Sequence, residues 1–247
     1  MIDFQIRAKR FENDSFWVKN NEVNSVPLTF LSPSETLGDL LDAGGGTGYL
    51  SYFLSTKFNC ESISLVDSSS SMLEKAREKN FQVKTFNSSI EEFCEKTNMR
   101  FKTVLIRQVL HYVDDVDKVI LALKSVLNEN GVIYAGQILM ENEDCGEWHD
   151  TLIKEISANR RRTFLIENFN EIFIRNGLEI VKKEITVLSE NLNDFYKRRV
   201  SDNNFDCIKE RMKNITTENV IEKMNIKITN DNIYFNVKFG HLLLKAK

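Results

Sequence analysis

Three consecutive glycines lie in Asp42-Ala43-Gly44-Gly45-Gly46-Thr47-Gly48, between the short apolar run Asp39-Leu40-Leu41-Asp42-Ala43 and the apolar-rich segment Tyr49 to Thr56. Glycine loses more backbone freedom on ordering than any other residue, so a chain that orders three together must need what only glycine allows. It allows a sharp reversal from strand to helix, and a backbone that comes close to a bound group with no Cβ in the way. The turn therefore predicts a strand, a ligand cradle and a helix opening on its N-terminus. Alone it leaves open which nucleotide-like ligand is held.

The rest of the chain repeats the same rhythm. Ser62 to Val66 reads as a second strand ending at Asp67, Met72 to Lys79 as a helix, and Val83 to Phe86 as a third strand. A helix from about Ser89 to Glu95 and a strand from Phe101 to Ile106 follow. Next come a helix across Asp115 to Leu127, stopped by Asn130-Gly131, and a fifth strand from Val132 to Leu139. Leu165 to Asn176 reads as a helix closed by Gly177, and Leu178 to Thr186 as a sixth strand. Alternation of this kind implies parallel crossovers and a sheet covered on both faces.

The rhythm breaks over residues 187–230, where Leu192 to Arg199, Phe205 to Asn214 and Thr217 to Met224 read as helices. That is too long for a plain loop, so it predicts a cap before the last strand, Ile233 to Lys245. Residues 1–36 read as helical and polar, with aromatics at Phe4, Phe11, Phe16 and Trp17. We expect one domain: an N-terminal helical cap (1–36), a cofactor-binding core (37–186), a helical insertion (187–230) and a final strand (231–247).

Composition narrows the function classes. With 247 residues, 10 Gly and 2 Pro, long flexible linkers are not expected. No stretch approaches the roughly 20 apolar residues that span a bilayer, and Met1 to Gln5 lacks the order of a secretory signal. The expectation is a cytoplasmic protein with no membrane partner. A net charge of −3 argues against a nucleic-acid partner. Arg160-Arg161-Arg162 and Lys197-Arg198-Arg199 are too short for a nucleic-acid patch; each reads as a solvated turn or as a site for one anionic group. The four cysteines are dispersed, which predicts free thiols, and Cys145 and His149 alone make too weak a pair for zinc. No metal is expected.

Asp67 sharpens the ligand. It stands at the end of the second strand, roughly 20 residues past the glycines, where a carboxylate accepts hydrogen bonds from both ribose hydroxyls of an adenosine. Three segments then carry a resemblance: Leu41-Asp42-Ala43-Gly44-Gly45-Gly46-Thr47-Gly48, Val66 to Arg77, and Phe101 to Asp115 with its Arg107-Gln108-Val109-Leu110-His111-Tyr112-Val113-Asp114-Asp115. Together they resemble the class I S-adenosylmethionine-dependent methyltransferases, and the third resembles the small-molecule branch acting in quinone and biotin pathways and on arsenite. The resemblance covers residues 37 to about 139 and thins beyond Met140.

The resemblance implies a Rossmann-like α/β sheet of seven strands, mostly parallel with the last antiparallel, helices on both faces and a small helical cap. It implies S-adenosyl-L-methionine as cofactor and S-adenosyl-L-homocysteine as product. By position, Gly44, Gly45 and Gly46 meet the methionine part and Asp42 orders the turn or meets its amine through water. Asp67, followed by Ser68, binds ribose, and Met72 and Ile90 sandwich adenine. Ser89 meets the ring edge where the family often has Asp, and Arg107 offers its backbone carbonyl to the amino group. Lys102 replaces the usual Asp that starts the fourth strand, a mostly structural position. Phe11, Phe16 and Trp17 match the family's closing helix or serve as ordinary core.

Methyl transfer from a sulfonium is an in-line displacement, so alignment supplies much of the rate. A base is needed only for a protonated nucleophile of high pKa. His111, with Tyr112 beside it, is placed to act as that base, to orient the acceptor, or merely to cap the next helix. The acceptor is expected to be a small, anionic metabolite methylated on O or N, walled by Trp17, Trp148 and Arg199, with His149, Tyr196 and Arg198 as further candidates. Two rivals stand: a nicotinamide-dependent oxidoreductase and a non-catalytic cofactor-binding partner subunit. Oligomeric state is left open.

Overall fold

A computed structural model describes residues 4–32, 36–154, 160–197 and 205–247. Two helices, α1 (Phe4–Asp14) and α2 (Asn21–Leu31), precede the alternating core. The core runs β1 (Thr36–Ala43), α3 (Tyr49–Ser55), β2 (Asn59–Asp67), α4 (Ser70–Arg77), β3 (Lys84–Asn87), α5 (Ile90–Lys96), β4 (Phe101–Arg107), α6 (Val116–Ser125) and β5 (Leu127–Met140). Next come α7 (Glu143–Lys154), β6 (Phe164–Leu165), α8 (Ile166–Arg175) and β7 (Leu178–Asn191). The chain closes with α9 (Leu192–Lys197), α10 (Phe205–Asn214), α11 (Glu218–Met224), β8 (Lys227–Ile228) and β9 (Ile233–Ala246).

The main sheet has the order β3-β2-β1-β4-β5-β9-β7, with the two-residue strands β6 on β5 and β8 on β9. β1 pairs in parallel with β2 and β4, and β9 lies antiparallel between β5 and β7. These are the seven strands and the single reversed strand that the family resemblance implied, plus two short additions.

Alternation along each strand sets the two faces. Leu41, Ala43, Val104, Ile106, Ile133, Ala135, Leu242 and Leu244 pack with α5, α6 and α8 residues such as Phe93, Ile120 and Phe169. Their chain neighbours Leu40, Leu105, Tyr134 and Leu243 pack on the opposite face with Val26 and Phe30 of α2 and Leu50 and Leu54 of α3. A period of two in a sheet covered on both sides produces this split, and one residue of slip would exchange the faces.

Of the elements that differ from expectation, four shape the rest of the sheet and the cap. α6 stops at Ser125, because Leu127 already pairs with Phe101. Val132 then pairs with Thr103, so residues 128–131 loop out, with Asn130 at φ +61°. Asn130-Gly131 thus shapes a bulge, not a helix end. α4 starts two residues early because the Ser69 side chain caps it, accepting from Met72 N. β7 runs to Asn191, held by pairs such as Leu188–Val237.

The fourth difference is α7, which the sequence reading did not assign. It buries Cys145, Trp148, His149, Leu152 and Ile153 along one face. That face joins Tyr196, Ile208, Met212, Val220 and Phe235 in one apolar cluster with Val23, Ile138 and Phe239. The cap is therefore built from both sides of β7, and its core continues into the sheet. No helix among the described residues is long and apolar enough to cross a membrane.

Candidate cofactor and acceptor site

The sheet order reverses direction at β1, whose two neighbours, β2 and β4, continue outward on either side. In such sheets ligands bind in the crevice beyond the carboxyl ends at this switch point. Ala43 pairs there with Val66 and Ile106, Asp67 with Asn87, and Arg107 with Gly136. Asp67, Arg107 and the glycine turn are thereby brought to one edge.

The turn is tied down from below. Gly44 N donates to Val66 O at 2.7 Å, and Gly48 N to Gly45 O at 2.9 Å. Two glycines have separate reasons to lack a side chain. A Cβ on Gly45 would stand 2.5 Å from the Asp42 carboxyl carbon, closer than atoms pack. Gly46 has φ +56° and its missing Cβ faces open space, a bare backbone edge.

Asp67 does more than sequence position suggested. Its Oδ2 accepts from Gly46 N at 2.9 Å and its Oδ1 from Ser69 N at 2.8 Å, so it clamps the turn to the start of α4. Each carboxylate oxygen keeps a second lone pair for a ribose hydroxyl. Burial pushes the Asp67 carboxyl up, with the two backbone N–H groups opposing. Burial likewise raises Asp42, opposed by Ser51 and by the Arg107 charge.

Buried polar atoms lacking partners cluster around the turn and the end of β4. Three of the four such atoms among the described residues lie there, Asp42 Oδ2, Thr47 Oγ1 and Gln108 Nε2; the fourth is Ser64 Oγ inside β2. Interiors rarely leave such groups unpaired, so these three point to something that completes them. A bare glycine edge, an acid beyond the next strand and the orphaned Asp42 and Thr47 atoms at the turn fit the donor set that an adenosylated amino acid requires.

The residues expected to meet adenine and ribose follow the ends of β2 and β3. Met72 and Ile90 are buried, and Ser68 is exposed. Ser89 caps α5, its Oγ accepting from Glu92 N at 3.1 Å, which leaves the hydroxyl hydrogen for another partner. Asn87, which the sequence reading passed over, donates to Asp67 O at 3.0 Å and ties β3 to the same edge.

Arg107 does something the sequence did not announce. Its guanidinium donates to Asn24 Oδ1 at 2.8 Å and lies 5.0 Å from the centre of the Trp17 ring. Asn24 in turn donates to Val18 O at 2.9 Å. Trp17 also meets Phe11 and Phe239, at 5.8 and 6.1 Å between ring centres. Glu12 of α1 pairs with Lys79 at 2.6 Å. The N-terminal segment is thus fastened across the crevice end of the sheet, with Trp17 half-buried in the fastening.

Past β4, Gln108 adopts φ +58°, rare for a side chain other than glycine and often found at functional sites. His111 is buried, and its ring centre lies 4.0 Å from that of Tyr112. Arg161 N donates to His111 O at 2.9 Å and Arg161 Nε to Tyr112 O at 3.0 Å. Arg162 Nη2 donates to Val113 O and Asp114 O at 2.9 and 2.8 Å. Two of the three consecutive arginines are therefore committed to holding the His111 loop. Arg160 is part-buried, donating from Nη2 to Thr163 Oγ1 at 3.1 Å, with Asp150 and Tyr112 in electrostatic range.

The expected acceptor walls are dispersed. Trp148 is 1% exposed, its Nε1 donates to Thr216 Oγ1 at 2.9 Å, and its ring packs on Phe235. It lies in the cap core. Tyr196 is buried against Phe205, and His149 lies 3.4 Å from Thr163 Oγ1. Arg198 and Arg199 lie outside the described residues. Among the described residues, no three His, Cys, Asp or Glu side chains stand together to hold a metal.

Comparison with known proteins agrees with this geometry. Residues 16–183 match the family described as methyltransferase domain. A candidate methyltransferase from Bacillus halodurans superposes with a TM-score of 0.78 at 14% identity, over 91% of this chain and 98% of that one. The YcgJ protein of Bacillus subtilis gives 0.74 at 17% identity, over 90% and 98%. A Haemonchus contortus phosphoethanolamine N-methyltransferase gives 0.62 at 16% identity, over 100% and 60%; its structure holds phosphomonomethylethanolamine and S-adenosylhomocysteine. A search of curated protein sequences finds no match. The chain belongs to the methyltransferase domain family and has the class I fold. It is an S-adenosylmethionine-dependent methyltransferase, which replaces the nicotinamide reading.

Proposed function

We propose that this methyltransferase acts on an O or N atom of a small, anionic metabolite, held between the His111–Tyr112 turn and Arg160. The observation that carries the reading is Arg160. Burial lowers its pKa, yet a guanidinium stays charged, and among the described residues its Nη1 has no partner. A part-buried cation with a spare donor, beside Tyr112, suits a carboxylate or phosphate. Two structural neighbours support the size and charge of such an acceptor: the Haemonchus enzyme above, and a candidate sarcosine dimethylglycine methyltransferase from Galdieria sulphuraria.

Bound S-adenosylmethionine supplies an electrophilic methyl carbon on a sulfonium. In this reading Gly44, Gly45, Gly46 and Asp42 hold its methionine part, with the Arg107 carbonyl on its amino group. Asp67 and Ser68 meet the ribose, and Met72, Ile90 and Ser89 the adenine. Trp17, fastened by Arg107, covers the crevice and excludes water. His111 and Tyr112 orient the acceptor atom, and His111 takes its proton where the nucleophile is an alcohol or ammonium. Trp148 acts on the acceptor side through packing, by fixing α7.

Release of S-adenosylhomocysteine should be assayed over a panel of carboxylated and phosphorylated amines and alcohols, each beside a neutral isostere. Turnover should favour the anionic member, and Arg160→Ala should raise its KM at least about tenfold, the weight of one charged hydrogen bond. Equal turnover of neutral isosteres would sink the anionic reading. Silence across the panel, with the cofactor bound, would favour a non-catalytic partner subunit.

A further inference from the structure

Gln137 lies on β5, 1% exposed, between His111 and Gln108. Its Nε2 donates to His111 Nδ1 at 3.0 Å, to Gln108 Oε1 at 3.3 Å and, more weakly, towards Ile138 O at 3.4 Å, while its Oε1 stands farther from His111 Nδ1, at 3.5 Å. An imidazole nitrogen that accepts a hydrogen bond carries no proton, so this setting places the proton of a neutral His111 on Nε2. It also leaves the Gln108 amide nitrogen as the orphaned end of the chain, 91% buried on a backbone held at positive φ.

The same three side chains have a second setting. If both amides turn over, Gln108 Nε2 donates to Gln137 Oε1, which accepts from His111 Nδ1–H. The ring proton then sits on Nδ1, taken up there from solvent as Nε2 releases its own, and Nε2 holds a lone pair. No heavy atom moves far, because an amide's O and N occupy nearly the same places. What changes is the far end: the first setting presents a donor from Gln108, the second an acceptor.

We propose that Gln108 and Gln137 are positioning residues that fix which nitrogen of His111 carries the proton, and that the group an acceptor offers to Gln108 selects the setting. An oxyanion or carbonyl at Gln108 Nε2 keeps the first, in which Nε2 of His111 donates. A hydroxyl or ammonium at Gln108 Oε1 selects the second, in which Nε2 of His111 is able to take a proton. The relay prepares a base only for an acceptor that arrives protonated. This rests on the reading of His111 as facing the acceptor.

The test reads the tautomer and needs no turnover, so it fails or succeeds apart from the acceptor assignment. The chain has three histidines, which makes ring-nitrogen NMR of protein labelled with ¹⁵N-histidine tractable. His111 is assigned by the loss of its signals in His111→Asn. In the ligand-free full chain, His111 should be the Nε2–H tautomer. Gln137→Glu, whose carboxylate only accepts, should convert it to Nδ1–H or to the imidazolium, with S-adenosylhomocysteine affinity within about threefold of wild type. A wild-type His111 protonated on Nδ1, or a tautomer unmoved by Gln137→Glu in a variant that still binds S-adenosylhomocysteine, overturns the proposal. Should that variant fail to fold, the wild-type tautomer decides alone. Gln108→Glu, which can only accept from Gln137, should keep Nε2–H; a change there also overturns it.

Discussion

At the scale of single residues, the site depends on atoms whose partners are incomplete within the protein. Gly46 presents a bare edge at φ +56°. Gly46→Val should therefore cost about 1–2 kcal/mol in backbone strain and also fill the cradle. S-adenosylhomocysteine affinity, read by calorimetry, should fall at least about thirtyfold. Gly177→Ala is the control: it has φ +73° and meets only the end of Lys124, so it shares the strain without touching the crevice. If both variants lost affinity equally, strain rather than occupancy would be the cause. The residue scale also shows how far sequence carries. Asp67 was legible because its place after the second strand is fixed by topology. Its clamp on Gly46 N was not, because that bond joins residues whose distance depends on the turn's closure. Arg161 and Arg162 likewise read as surface charge, since the carbonyls they hold lie far back along the chain, at Tyr112, Val113 and Asp114.

At the scale of elements, the N-terminal segment and α7 decide what surrounds the crevice. Arg107 links β4 to Asn24 and Trp17, and Glu12 links α1 to Lys79. Arg107→Met should keep the stem but remove the latch. Hydrogen exchange over α1 and α2 should quicken while β1 and β4 keep their protection, and unchanged exchange would remove the latch from the account. Trp148→Ala should cost about 3–5 kcal/mol in unfolding free energy, through the cavity it leaves between α7 and Phe235. A loss below about 1 kcal/mol would mean that Trp148 is not the cap's anchor. Most core elements were legible because their apolar residues repeat every second position between turn residues. α7 was not, because the first two turns of its buried face are written in Cys145, Trp148 and His149 among acids, and the aliphatic Leu152 and Ile153 come only at its end. The extension of β7 to Asn191 escaped for another reason: its partner, the first half of β9, lies past the insertion.

At the scale of the whole molecule, the sheet's two halves meet across His241. This residue is fully buried, with Nδ1 2.8 Å from Tyr134 Oη and Nε2 3.0 Å from Thr186 Oγ1. Burial, then the Arg107 charge, lowers its pKa to about 3 from 6.5. Between those values the unfolded chain binds a proton that the folded chain refuses, so stability falls as pH drops from 6.5 towards 3. The loss from this group should reach about 5 kcal/mol, and His241→Gln should flatten that part of the denaturation profile, whereas an identical slope would contradict it. On the other side of the sheet, parallel pairing of β1 with β2 and β4 brings their carboxyl ends to one edge, and that edge holds the methyl donor. That claim is tested most directly by titrating the full chain with S-adenosylhomocysteine in a calorimeter, beside Asp67→Ala and with NAD as a control ligand. One site per chain is expected, with an affinity at least about tenfold weaker in Asp67→Ala and no heat with NAD. Absent binding, or binding that Asp67→Ala leaves untouched, would contradict it.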